Sequence, residues 1–481
     1  MGLLAELKRI IDDESRVIAG KAELERHGRG FGYSVPSLPE VVVFPKSREE
    51  IVRLLRFANV NGVPVVPFGQ GSSLEGQVAP LRGGISLDTR LMNRVLEVRP
   101  DDFLARVEAG VTHGQLNARL QEHGLFFPVD PGWDASFGGM AATNASGTNA
   151  VRYGTMRDQV MNLEVVLADG TVMHTGGLAM KSSAGYDLTG LFVGSEGTLG
   201  VFTEVVVRLY PLPEKVLAAR AVFPSVDAAS RAAVAVIRSG MQIGRVELVD
   251  PRSVEAVNRY KKTRYPEAPT LFFEFSGDSA GVARDVEKAR KLCDKEDCST
   301  FDFEEDEAGR EKLWEARHEA ALAIDSLFPD KGVMTTDVCV PISDLPGALR
   351  HAREAIETRG LDGAILGHVG DGNYHALFPV DAQDQADIER AEAVNEEIVA
   401  YALARGGTCT GEHGVGSGKI EHLERAWGLL AVHARYQAAR RPKRHHESGQ
   451  DLLRRVRVMI ASGSPAKFGI SWPTRVRGCG S

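Results

Sequence analysis

The sequence predicts an α+β protein of two domains, and three observations carry that prediction. At 481 residues the chain is long for a single hydrophobic core. Pro211 and Pro213 interrupt it between two differently patterned halves. Beyond them, strand-like runs at 218–223, 245–249, 271–275, 338–341 and 364–366 alternate with helical stretches at 228–239, 281–293 and 345–357. Composition narrows the function classes. A net charge of −8 gives no reason to expect nucleic acid as a partner. Glycine, 51 of 481 residues, exceeds the average of roughly 7 % and points to tight turns and close backbone approach to a ligand.

The first twenty residues place Leu3, Leu4, Leu7, Ile10, Ile11 and Val17 at helical spacing among acidic side chains, which predicts an amphipathic helix. It is too acidic for a transit peptide and lacks the apolar block of a signal peptide. Cys293, Cys298, Cys339, Cys409 and Cys479 are odd in number and scattered, as expected of a reduced, cytosolic protein. No apolar run approaches the roughly 18 residues that span a bilayer. A soluble protein follows, with peripheral contact at a membrane left open.

Residues 41–45 read as a strand, and Ser47 with Glu50 has capping-box character before a helix to about residue 59. A second strand at 63–67 runs into Phe68-Gly69-Gln70-Gly71-Ser72-Ser73-Leu74-Glu75-Gly76, whose successive N–H groups could form a nest for an anion. This is neither a Walker sequence nor GxGxxG, so NTP hydrolysis and a Rossmann nicotinamide site are disfavoured. Strand-like runs at 84–87 and 105–108, a helix at 112–123 and a break at Asp130-Pro131-Gly132 follow. Residues 136–147 are almost all small. A core helix would need larger apolar side chains, so this stretch is expected to lay backbone against a flat ligand. A strand, an Asp169-Gly170 turn and another strand fill 162–175.

In the second half, Gly367-His368-Val369-Gly370-Asp371-Gly372-Asn373-Tyr374-His375 contains an Asp-Gly pair, a signal for a two-residue type I′ hairpin. Such a turn sets His368 opposite His375, and two cross-strand imidazoles can share a divalent metal. A carboxylate such as Glu412, in Gly411-Glu412-His413-Gly414, would complete a two-histidine, one-glutamate set; His413 is left over as a base. Either histidine alone would more often be a packed or surface residue.

The loop after Pro67, the 139–147 stretch and Gly194-Ser195-Glu196-Gly197-Thr198-Leu199-Gly200 occur in an order that resembles FAD enzymes of the vanillyl-alcohol-oxidase type. The resemblance is most detailed to cytochrome-type D-lactate dehydrogenases and covers about residues 38–425. It implies an N-terminal helical segment at 1–37, a two-part PCMH-type FAD-binding domain at 38–217, and an α+β substrate and metal domain with a ferredoxin-like sheet at 218–424. Carried onto this chain, FAD contacts fall on Pro67, Phe68, Gly69, Gln70, Gly71, Ser72, Ser73 and Glu75. They continue through Pro131, Gly132, Ser136, Gly139, Ala142, Thr143, Asn144 and Gly147, then Glu196, Gly197, Gly200, Val201 and Asn373. Gln70 and Ser73 cannot form the family's covalent flavin links, so FAD is expected to be dissociable.

The resemblance also implies that Arg317 grips a substrate carboxylate, a task that suits a planar guanidinium. A metal on His368, His375 and Glu412, with zinc expected ahead of manganese or iron, would bind a D-2-hydroxy acid, and His413 would take its hydroxyl proton. No Lys occurs within Thr335-Thr336-Asp337, where relatives acting on 2-hydroxyglutarate carry one, so a monocarboxylate such as D-lactate is favoured. Electrons would pass to cytochrome c, a quinone or a flavoprotein carrier; a homodimer is compatible. Two other readings stand beside this one: an O2-using glycolate or 2-hydroxy-acid oxidase, and an inactive flavin-binding protein. The last rests on the tail. Residues 425–481 hold twelve Lys and Arg against two Asp and Glu, making the tail +10 and the remainder −18. Here the family pattern stops, and the tail reads as a shifted frame, largely disordered.

Overall fold

The computed structural model describes residues 2–28, 30, 37–427 and 433. The chain divides into two compact units. The first takes the residues up to Ser146, then Gly154–Leu212, then the segment from Glu412; the second takes Gly147–Tyr153 and Pro213–Gly411.

The first unit has two parts, each with its own sheet and core. In one, Val41–Val43, Ile85–Asp88 and Val65–Phe68 lie side by side and parallel. Val41–Val43 and Ile85–Asp88 are buried along their whole length, as strands covered on both faces must be. The crossover helix Arg48–Asn61 buries Ile51, Leu54, Leu55 and Ala58, one face at helical spacing, and ends on Gly62 at φ 67°. Only half of the expected capping box forms. Ser47 Oγ accepts from Glu50 N at 3.3 Å, but the Glu50 carboxylate turns to Arg16 at 2.6 Å instead of reaching back to Ser47. Arg16 sits there because the predicted long N-terminal helix stops early. It spans Leu3–Ile10, and Val17–Ile18 pairs with Val42 and Val43 as an edge strand.

The other part is a five-stranded antiparallel sheet, in the order Val95–Arg99, Leu104–Glu108, Val201–Arg208, Val160–Val166 and Val172–His174. The small-residue stretch, not expected to be helical, opens with a short helix on this core, Phe137–Thr143. Phe137, Met140 and Ala141 fall at i, i+3 and i+4 on its buried face, and Ala and Met are strong helix formers, so few large side chains suffice.

The second unit is built on an eight-stranded antiparallel sheet. Its first four strands lie in the order Thr300–Glu304, Lys215–Val222, Thr270–Gly277, Ile243–Val249, with helices Val226–Arg238 and Ser279–Asp294 in the connections. Fourth, first, third, second is the ferredoxin-like order that was expected. Ala364–Gly367, Asn373–Val380 and Gly332–Thr335 extend it, with Val338–Cys339 also on Asn373–Val380. Helix Ile420–Trp427 holds the first residues of the tail; the rest, His433 apart, lies outside the described residues.

Candidate active site

In the second unit, His368 and His375 do come together, but not as an Asp-Gly turn would bring them. The connection between Ala364–Gly367 and Asn373–Val380 is five residues long, and Gly372 alone within it has positive φ, at 89°. A type I′ turn needs positive φ at Asp371 as well. The strand partner of His375 is Leu366. His368 lies two residues beyond Leu366, on the same face by the period of two, so the imidazoles meet diagonally. Their ring centroids are 5.6 Å apart with the planes near perpendicular, and one nitrogen of each lies within 4.8 Å of the other's.

Both rings are oriented through Nδ1. His368 Nδ1 lies 2.7 Å from Glu247 Oε1, and His375 Nδ1 lies 3.1 Å from the Thr336 carbonyl. A carboxylate and a carbonyl only accept, so each Nδ1 carries hydrogen, and in the neutral ring the lone pair then sits on Nε2. Arg317 is buried on helix Glu307–His318 with Nη2 2.6 Å from Glu247 Oε2. Trp314, one turn earlier, packs against Phe272 in the core and so fixes the helix face that carries Arg317. Asn373 Nδ2 donates to Asp337 Oδ1 and the Val338 carbonyl, both at 2.8 Å. Asp337 also accepts from Gly411 N at 3.0 Å, one residue before Glu412.

Glu412 and His413 belong to the first unit, where the 412–419 segment is tied to the loops expected to hold the cofactor. Ser146 Oγ donates to Glu412 Oε2 at 3.3 Å. The Glu75 carboxylate faces Lys419 Nζ at 2.9 Å and His413 Nδ1 at 3.5 Å, and its carbonyl accepts from Ser417 N and Gly418 N. Burial pushes the Glu75 carboxyl upward, but the Lys419 ammonium and His413 outweigh it and hold it below the usual range. Gln77 Nε2 donates to the His413 carbonyl at 2.7 Å. Glu196, at φ 49°, accepts from Val415 N at 2.8 Å and Gly416 N at 2.9 Å, yet burial raises its carboxyl above the ordinary value.

Most of the remaining expected contacts lie in the first unit. A Cβ on Gly69 would meet Ser136 Oγ at 2.5 Å, one on Gly197 would meet Pro67 at 3.0 Å, and Gly71 lies at φ 71° against the Phe68 ring. Gly139 accepts from Thr143 Oγ1 through its carbonyl, while Ala142 accepts from Glu196 N. Asn144, left-handed at φ 53°, closes the helix and accepts from Arg157 N. Val201 opens its strand, with Gly200 packed on Val165. Gln70 and Gly132 are exposed, Ser72 and Pro131 half-buried; Gly147 and Asn373 lie in the second unit. The buried hydroxyls of Ser73, Ser136 and Ser195 have no hydrogen-bond partner among the described residues.

Residues 39–176 match the FAD binding domain model, and residues 212–443 match the model of the FAD linked oxidases, C-terminal domain. A Danio rerio protein named probable D-lactate dehydrogenase, mitochondrial, is 44 % identical over 433 residues, 89 % of this chain and 87 % of its own. The Arabidopsis thaliana mitochondrial D-lactate dehydrogenase [cytochrome] is 41 % identical over 89 % of this chain and 76 % of its own. The chain belongs to the cytochrome-type D-lactate dehydrogenase family. Its fold is that of p-cresol methylhydroxylase with substrate bound, at a TM-score of 0.75 and 18 % identity over 91 % of this chain and 93 % of that one. For an FAD-linked oxidoreductase, the orphaned hydroxyls of Ser73, Ser136 and Ser195 have a ready reading. Buried hydroxyls are nearly always hydrogen-bonded, and a polar dinucleotide would offer them acceptors that the described residues do not. Sequence reasoning missed Glu247, Asp337, Gln77 and Lys419 as members of these networks. The one signal for Glu247 was a carboxylate inside the apolar strand Ile243–Val249.

Proposed function

We propose that this flavoprotein oxidises D-lactate to pyruvate and passes the electrons to cytochrome c, a quinone or a flavoprotein carrier. The observation that carries the reading is the pair His368 and His375, each held through Nδ1 with its lone pair on Nε2, the arrangement that metal-ligating histidines adopt. Two imidazoles so held suit a divalent cation, zinc first, and the family resemblance supplies Glu412 as the third ligand. A metal bound there would acidify the substrate hydroxyl and bind its carboxylate. FAD, when bound, supplies the acceptor for the hydride from C2. Arg317 pairs with the carboxylate, and His413 takes the hydroxyl proton, with Glu75 facing its Nδ1 so that Nε2 is the accepting nitrogen. The substrate loses one proton and one hydride, which converts the 2-hydroxy acid to the 2-keto acid.

Among the described residues, no helix is long and apolar enough to cross a membrane. Both relatives carry a mitochondrial location in their names, so that compartment competes with the cytosolic expectation, and cell fractionation decides between them.

The test of the reaction is the visible spectrum of the purified protein before and after anaerobic D-lactate. Bleaching of bound flavin is expected, and His375→Ala should abolish bleaching and metal uptake while retaining FAD. Undiminished bleaching in that variant would refute the metal assignment. Stoichiometric peroxide in air would favour the oxidase reading instead.

A further inference from the structure

Strand Ile243–Val249 lies antiparallel to Ala364–Gly367, with Leu248 paired to Gly367. One further step of that register sets Glu247 opposite His368. The Glu247 side chain is fully buried, and its carboxylate serves two partners: His368 Nδ1 lies 2.7 Å from Oε1 and 2.9 Å from Oε2, and Arg317 Nη2 lies 2.6 Å from Oε2. We propose that Glu247 is a positioning residue that sets the tautomer and ring orientation of His368 and the aim of the Arg317 guanidinium together. The inference rests on the metal and arginine roles proposed above.

A single fully buried carboxylate does three things here. It accepts from Nδ1–H, which leaves the His368 lone pair on Nε2 for a cation. It anchors one nitrogen of a guanidinium whose buried Nε has no hydrogen-bond partner among the described residues, which fixes the plane in which the guanidinium offers its donors. It also ties those two groups rigidly to one central strand, so the group that would hold a substrate hydroxyl and the group that would hold its carboxylate cannot drift independently. Aspartate, one methylene shorter, cannot reach both partners from the same backbone position. Glutamine keeps the shape but gives up the charge that opposes Arg317.

The experiment is calorimetric titration of the metal-free, FAD-loaded protein with Zn2+ or Mn2+. Wild type, Glu247→Gln and Glu247→Asp are compared, with flavin content and melting temperature followed in each. Both variants should bind metal about ten- to a hundredfold more weakly, the size of effect that such outer partners have, and should raise the KM for D-lactate. Because Glu247→Gln leaves a buried arginine without its carboxylate, the double variant Glu247→Gln/Arg317→Met is included; it should fold like wild type and bind metal as weakly as Glu247→Gln. Wild-type metal binding with Glu247→Gln, or the double variant if the single one does not fold, within roughly threefold of it would overturn the role of Glu247 alone. A wild type that takes up no metal would instead overturn the site reading on which it rests.

Discussion

Replacing Glu75 by glutamine takes from Lys419 the carboxylate that sits 2.9 Å from its Nζ, in a pair whose side chains are only 12 % and 9 % exposed. Breaking a buried ion pair costs about 3–5 kcal/mol; since both side chains keep a trace of solvent, we expect the lower end, about 3 kcal/mol. The loss is not that of the whole contact, because the Glu75 carbonyl still accepts from Ser417 N and Gly418 N. For a unit of this size each kcal/mol moves the melting temperature by about 2–4 °C, so the variant should melt about 6–12 °C lower. Scanning calorimetry of the FAD-loaded protein at pH 7 measures it. Adding Lys419→Met should recover much of the loss, because the desolvated charge goes with it. The pH dependence has a definite sign. The folded Glu75 carboxyl lies below its ordinary value of 4.5, so its stabilising contribution is complete above that value and is lost as pH falls through the folded pKa. The gap between wild type and variant should therefore close in acid. A gap at pH 7 under about 2 °C, or one that widens in acid, would refute the argument.

Gly411→Ala should destabilise the second unit by about 1–3 kcal/mol, as overpacking does, since an added Cβ would overlap Asn373 Nδ2 and come 3.0 Å from Asp337 Oδ1. The urea midpoint reads this, and an unchanged midpoint would show that Asn373 can give way. Ser136→Ala removes the hydroxyl of a residue that is 1 % exposed, with no hydrogen-bond partner for it among the described residues. If bound FAD accepts from it, the FAD dissociation constant should rise by roughly tenfold, about 1.4 kcal/mol. Flavin fluorescence titration decides; an unchanged constant would remove Ser136 from the cofactor site.

Most of the sheet framework was legible because buried strands are continuous apolar runs. The expected strand at 245–249 is Ile243–Val249, and that at 271–275 is Thr270–Gly277. Val95–Arg99 was missed because all five of its residues are half-buried, so it shows neither alternation nor a continuous apolar run. The helix within the 136–147 stretch was missed for a related reason. Its helix needs only Phe137, Met140 and Ala141 to face the core, and glycines fill the contacts where the backbone comes close, as Gly138 does beside Ala109. Density of small residues signals close approach. It does not say whether the neighbour is a ligand or the protein's own sheet.

The histidine pair shows where local reading ends. The sequence suggested a cross-strand partnership of His368 with His375 because an Asp-Gly pair lies between them, and proximity follows from any short connection that returns antiparallel. The actual geometry depends on two registers. Leu366 opposite His375 makes the imidazoles diagonal neighbours, and Leu248 opposite Gly367 makes Glu247 the residue that faces His368. The first register spans nine residues and the second well over a hundred, so only the first leaves a trace in adjacent sequence. In the sequence Glu247 is a lone carboxylate in an apolar strand, which by itself calls for a partner but names none. Two partners that share one carboxylate, Arg317 from a helix and His368 from a loop, become visible only once the sheet has brought three distant segments together.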